Sequence, residues 1–136
     1  MSWDVSLYRF SQRYQSLDEI PEDEQPFALG SLKEIQLAVS AAFPGTSWAD
    51  PIWGIFEAEF GSVEFNVGKE EPVVCLALHV RASDAVLGGI FDLCNKLQCQ
   101  AVDLSYSTFL DQAADPASGL EKWRAYRDQI VSGQQV

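Results

Sequence analysis

The sequence predicts an α+β domain of order β-α-β-β-β-α-β-α, with a mainly antiparallel sheet and helices packed on one face. Three observations carry that expectation. Ser31-Leu32-Lys33-Glu34 opens a run of apolar residues at helical spacing, two alternating β-rich runs flank Gly61-Ser62, and a second helical stripe separates two further strands. A ferredoxin-like plan with an added strand and helix fits this order. At 136 residues the chain has the usual length of one domain, residues 1–136, and can remove roughly 70% of its unfolded surface from water.

Trp3 to Phe10 carries Val5, Leu7, Tyr8 and Phe10 and reads as the first strand. Residues 11–30 lose periodicity and read as a loop, with Asp18, Glu19, Glu22, Asp23 and Glu24 gathered around Pro21. In the next segment the Ser31 hydroxyl and the Glu34 carboxylate fit a reciprocal capping box. Leu32, Ile35, Val39, Ala42 and Phe43 then make a buried stripe, and Pro44-Gly45 stops the helix.

Ile52 to Val67 reads as a hairpin turning at Gly61-Ser62. Counting outward from that turn sets Glu59 opposite Glu64 and Ala58 opposite Phe65. One face is then Ile52, Gly54, Phe56, Ala58, Phe60, Val63, Phe65 and Val67, the core side; the other is Trp53, Ile55, Glu57, Glu59, Glu64 and Asn66. Pro72 to Arg81 is apolar on both sides and reads as a central strand. Ser83 or Asp84 caps a helix with Val86, Leu87, Ile90, Leu93, Cys94 and Leu97 inward, and Gly88-Gly89 implies close contact with the sheet. Ala101 to Tyr106 is the last strand. Leu120, Trp123, Tyr126 and Ile130 suggest a C-terminal helix that also bears Lys122, Arg124 and Arg127.

Charge is segregated along the chain. Asp18 to Glu71 holds 12 of the 20 acids, opposed only by Lys33 and Lys69, within a net charge of −11. Such a surface repels nucleic-acid phosphates and anionic membranes and suits a basic protein partner. The hydrophobic content of 47% argues against disorder, and the absence of a spanning run or signal-peptide pattern points to a cytoplasmic protein. Cys75, Cys94 and Cys99 are odd in number and form no C-x-x-C pair, so they read as small apolar residues in a reducing compartment.

The outward hairpin face is the most informative constellation, because like charges directly opposed weaken a sheet and stability alone does not favour Glu59 across from Glu64. Trp53 and Ile55 add apolar contact, so Trp53, Ile55, Glu57, Glu59 and Glu64, with the loop carboxylates Asp18, Glu19, Glu22, Asp23 and Glu24, form the candidate partner surface. The competing reading is a solvated sheet face, or one covered by the C-terminal helix with Arg124 and Arg127 neutralising the glutamates. No catalytic residue, metal or cofactor is expected. His79 is the lone histidine, and Cys75 lies four residues away, roughly 13 Å along a strand, where a nucleophile and base need about 3 Å. A small enzyme with a site around His79, Arg81 and Asp103 is one rival, and a module that self-associates through Trp53 and Ile55 is another. No phosphate-binding glycine loop occurs.

Met1-Ser2-Trp3-Asp4, Asp50-Pro51-Ile52-Trp53-Gly54, Ser62-Val63-Glu64-Phe65-Asn66-Val67-Gly68, Leu78-His79-Val80-Arg81 and Lys122-Trp123-Arg124-Ala125-Tyr126-Arg127 span nearly the whole chain. In these segments the chain resembles a group of small bacterial proteins of unassigned function, which in turn resemble immunity proteins of polymorphic toxin systems. The resemblance implies a non-catalytic inhibitor that covers the active cleft of a basic toxin domain. In that role Glu57, Glu59, Glu64 and the loop carboxylates supply complementarity, and Trp53 or another aromatic serves as the buried anchor.

Overall fold

A computed structural model describes residues 1–133, with side chains through Ile130. Among these, β1 (Trp3–Tyr8), β2 (Ser47–Asp50), β3 (Trp53–Ala58), β4 (Gly61–Asn66), β5 (Leu76–Ala82), β6 (Gln100–Asp103) and β7 (Thr108–Phe109) form one antiparallel sheet. Its order is β2-β3-β4-β5-β1-β6-β7. The helices are α1 (Leu32–Ala42), α2 (Val86–Leu97) and α3 (Ser118–Gly133). The α+β class and the antiparallel sheet agree with the sequence. Strands β6-β1-β5-β4, linked through α1 and α2, have the split β-α-β arrangement of ferredoxin-like sheets. Two elements were not anticipated, β2 and β7. Both are short and lie at the sheet's two edges, where little apolar patterning is needed.

Period-two alternation puts Val5, Leu7, Val63, Phe65, Leu78 and Val80 on one face, where all are fully buried. Helix α1 contributes Ile35 and Val39 to the same core, and α2 contributes Val86, Ile90, Leu93 and Leu97. Each such side chain is worth about 1.5–3 kcal/mol relative to exposure. The α1 capping box forms as the sequence predicts: Glu34 N–H donates to Ser31 Oγ at 3.1 Å, and Ser31 N–H donates to Glu34 Oε1 at 3.1 Å. These bonds from Ser31 hold the Glu34 carboxyl below its ordinary range. Phe43 ends this helix and packs on Phe56 and Phe65, with ring centroids 5.2 and 5.1 Å away. It also fills the space above Gly89, where a Cβ would come within 2.6 Å of its ring. The glycine pair therefore serves helix–helix contact at Gly89 rather than contact with the sheet, and Gly88 faces open space.

The hairpin turns two residues earlier than the sequence count. Ala58 pairs with Gly61, leaving Glu59 and Phe60 as the loop. Phe60 fixes that position: its ring packs 5.8 Å from Phe56, and its carbonyl accepts from Ser83 N–H at 2.9 Å. Gly61 then takes φ +131°, a conformation that favours glycine, and a Cβ there would strike the backbone at Arg81 and Ala82. The change in register is even, so the residues that remain paired keep their expected faces. The opposition of Glu59 and Glu64 is overturned, because Glu64 faces Ile55 on one side and His79 on the other.

Helix α2 is capped at Ala85 without a side-chain bond, and Asp84 instead pairs with Arg124 at 2.7 Å. Helix α3 docks on the core side of the sheet, burying Leu120 and Trp123. Its approach depends on Gly119, where a Cβ would collide with the Asp103 carboxylate and lie 2.5 Å from Trp3 Nε1. Arg127 lies over the Trp123 ring at 5.1 Å and pairs with Asp128. Neither arginine is bonded to the hairpin glutamates, so a sheet face covered and neutralised by the C-terminal helix is not what forms.

Candidate functional site

The face away from the helices is built by the same alternation. It carries Trp53, Ile55 and Glu57 from β3, Ser62, Glu64 and Asn66 from β4, His79 and Arg81 from β5, and Asp4 and Ser6 from β1. Ile55, Glu64, His79 and Asp4 lie in one row across these strands. Trp53 reaches across β4 and stacks on His79, with ring centroids 5.7 Å apart and planes inclined by 18°. His79 Nδ1 meets Asp4 Oδ1 at 2.9 Å, and Ser2 Oγ donates to the same oxygen. Arg81 Nη1 donates to Glu64 Oε2 at 3.1 Å, while its Nε donates to the Met1 carbonyl. These partly exposed pairs order the surface and are worth only about 0–1 kcal/mol each.

Around this polar centre the face is open. Ile55 remains 40% exposed. It floors a cleft of about 340 Å3 together with Gly45, Ser47 and Glu57. Among the described residues neither Glu57 nor Glu59 has a charged partner; Glu57 is on the β3 surface and Glu59 in the adjoining turn.

The other end of the same face is covered. Tyr14, Leu17 and Ile20 from the loop after β1 pack with Tyr8 and Phe10 on Val102 and Phe109. Gln100 fastens the loop, its Oε1 accepting from Tyr14 N–H at 2.9 Å and its Nε2 donating to Tyr14 O at 2.8 Å. Glu24 closes it by accepting from Ser11 Oγ and Tyr14 Oη, both at 2.6 Å, and those bonds, Ser11's first, lower its carboxyl from the ordinary value. Glu19 accepts from Gln15 N–H at 3.2 Å. Burial of Tyr8, and then its contact with Cys75, raises the phenol.

The structure thus gathers four of the sequence-predicted residues, Trp53, Ile55, Glu57 and Glu64, and sets Glu59 beside them at the hairpin tip. Asp18, Glu19, Glu22, Asp23 and Glu24 stand apart. From β3 to β6 there are four strand steps of about 4.8 Å, roughly 19 Å, so the acids form two groups rather than one patch. The missed residue is Asp4. It alternates with Trp3 and Val5, which marks its face, but its partnership with His79 follows from β1 lying beside β5. Asp103 does not join His79 and Arg81: it lies on the core side, 2% exposed, and accepts from Ser105 N–H at 2.8 Å. The catalytic grouping of these three residues is therefore not assembled.

Among the described residues no three His, Cys, Asp or Glu side chains gather as metal ligands would, and no helix is long and apolar enough to cross a membrane. No protein-family model matches the chain, and neither a curated protein nor a solved structure matches it significantly.

Proposed function

We propose that the protein is a non-catalytic binding module, and most concretely an immunity protein that blocks a basic toxin domain with the open half of its outer sheet face. One observation carries the reading: Trp53, Ile55, Glu57 and Glu64 share an uncovered surface that neither α3 nor the acidic loop overlies. An exposed aliphatic floor beside unpaired carboxylates matches the amphipathic form of lysine and arginine side chains, whose apolar stems carry charged heads. Glu57 and Glu59 then occupy the place of substrate phosphates in the toxin's cleft, and Ile55 with the Trp53 edge supplies the apolar contact. The net charge of −11 steers encounter, raising the association rate more than the final affinity. The sequence resemblance to immunity proteins supports the same reading.

Self-association through Trp53 and Ile55 is the weaker reading on electrostatic grounds. A two-fold contact over this face would bring Glu57 and Glu59 against an equally acidic copy.

The test is co-expression with the protein encoded by the adjacent reading frame, scored as growth rescue and as recovery of a complex. The expected result is rescue that fails with Ile55→Asp plus Glu57→Lys and persists with Asp18→Asn, Glu22→Gln and Asp23→Asn together. Rescue that is indifferent to the hairpin pair overturns the assignment of this face. An adjacent protein that is neither toxic nor bound overturns the immunity reading.

A further inference from the structure

We propose that Cys94 and Cys99 are a dithiol centre that a low-molecular-weight disulfide oxidises to an intramolecular disulfide. Helix α2 ends in a left-handed residue, Gln98, at φ 53°. Cys99 N–H donates to Cys94 O at 3.0 Å, and Gln98 N–H donates to Asn95 O at 3.4 Å. Those two bonds are the Schellman motif, whose geometry brings the side chains at its first and last positions into contact. Here both positions are cysteines. Both are free cysteines, and both line the same cleft of about 90 Å3.

Their surroundings assign them different roles. Cys99 borders two clefts, of about 90 and 200 Å3, and Arg13 lines both. Arg13 is ion-paired with Asp111 at the first of them. Cys94 borders only the smaller of these clefts. The neighbouring Cys99 thiol and then burial raise the Cys94 thiol above the ordinary cysteine range. Both residues are nearly buried, Cys94 8% and Cys99 4% exposed, and the first attack is assigned to Cys99 because it borders both clefts.

Cys99 loses its proton to solvent, and its sulfur attacks one sulfur of the reagent disulfide. The reagent S–S bond breaks, and one small thiolate departs. Cys94 sulfur then attacks Cys99 sulfur in the mixed disulfide, and the second small thiolate leaves with the Cys94 proton. Two protein thiols are oxidised, and one reagent disulfide is reduced to two thiols. The new bond ties the last turn of α2 to the residue before Gln100, the side chain that fastens the acidic loop.

The experiment uses the full chain carrying Cys75→Ser, incubated folded with oxidised glutathione, acid-quenched and alkylated. Lys96 lies between the two cysteines, so trypsin separates them and only a disulfide keeps their peptides joined. The expected result is loss of both alkylatable thiols and a linked peptide pair that reduction separates. Cys94→Ser is expected to stop at a glutathione adduct on Cys99, and Cys99→Ser to leave Cys94 alkylatable. Retention of both thiols in the parent, a stable unresolved adduct there, or linkage seen only in denaturant overturns the proposal. The parent result decides the matter even where a serine variant folds poorly.

Discussion

The two ends of the outer sheet face differ in what their acidic residues do. Over β1, β6 and β7 two of the five loop carboxylates work inward: Glu24 and Glu19 bond to their own loop, which lies as a cover over Val102 and Phe109, while Asp18, Glu22 and Asp23 are exposed and have no ion pair among the described residues. Over β3 and β4, Glu57 and Glu59 have no charged partner among the described residues and stand beside an exposed isoleucine. A run of acids in sequence is therefore not one surface. Carboxylates that hold a loop together contribute to the fold, whereas those left unpaired next to apolar surface are the ones available to a partner.

Removing side chains at matched positions sharpens that contrast most strongly. Phe109→Ala empties the centre of the covered end and is expected to cost about 3–5 kcal/mol by urea denaturation. Ile55→Ala on the open end is expected to stay within about 0.5 kcal/mol in the same assay. An equal loss at both positions would show that the open end is as structural as the covered one.

At the loop, Tyr14→Phe removes the hydroxyl that Glu24 accepts from and is expected to cost about 1 kcal/mol. A related prediction concerns acid. Because the folded-state pKa of Glu24 is lowered, its contribution is present in full above the ordinary carboxylate range and is lost as pH falls through the depressed value. Glu24→Gln should flatten that part of the stability curve between pH 5 and the acid limb, read by thermal melts; an unchanged pH slope would remove Glu24 from the account. Smallest of all, Asp4→Asn on the open end should change stability by under about 1 kcal/mol by urea denaturation, because its pairing with His79 is partly exposed.

Much of the fold was legible because it rests on local or periodic signals. The Ser31 and Glu34 box is a matter of four consecutive residues, and the two faces of the hairpin follow from alternation, which survives an even error in the turn. The turn itself was not legible, since Phe60 is fixed by Phe56 and by the Ser83 amide, contacts made only in the folded chain. Nor was it legible that Asp4, and not Asp103, stands beside His79, because strand order decides which aspartate shares its face. Cys94 and Cys99 are five apart, a spacing without meaning until Gln98 adopts its left-handed turn.

The most direct measurement is the dissociation constant for the adjacent-frame protein, compared between a hairpin variant, Ile55→Asp plus Glu57→Lys, and a loop variant, Asp18→Asn plus Glu22→Gln plus Asp23→Asn. Loss of a central contact worth about 2 kcal/mol predicts roughly 30-fold weaker binding for the hairpin variant, against less than about threefold for the loop variant. The reverse order, with the loop variant weakened and the hairpin variant intact, would contradict the assignment of the open face.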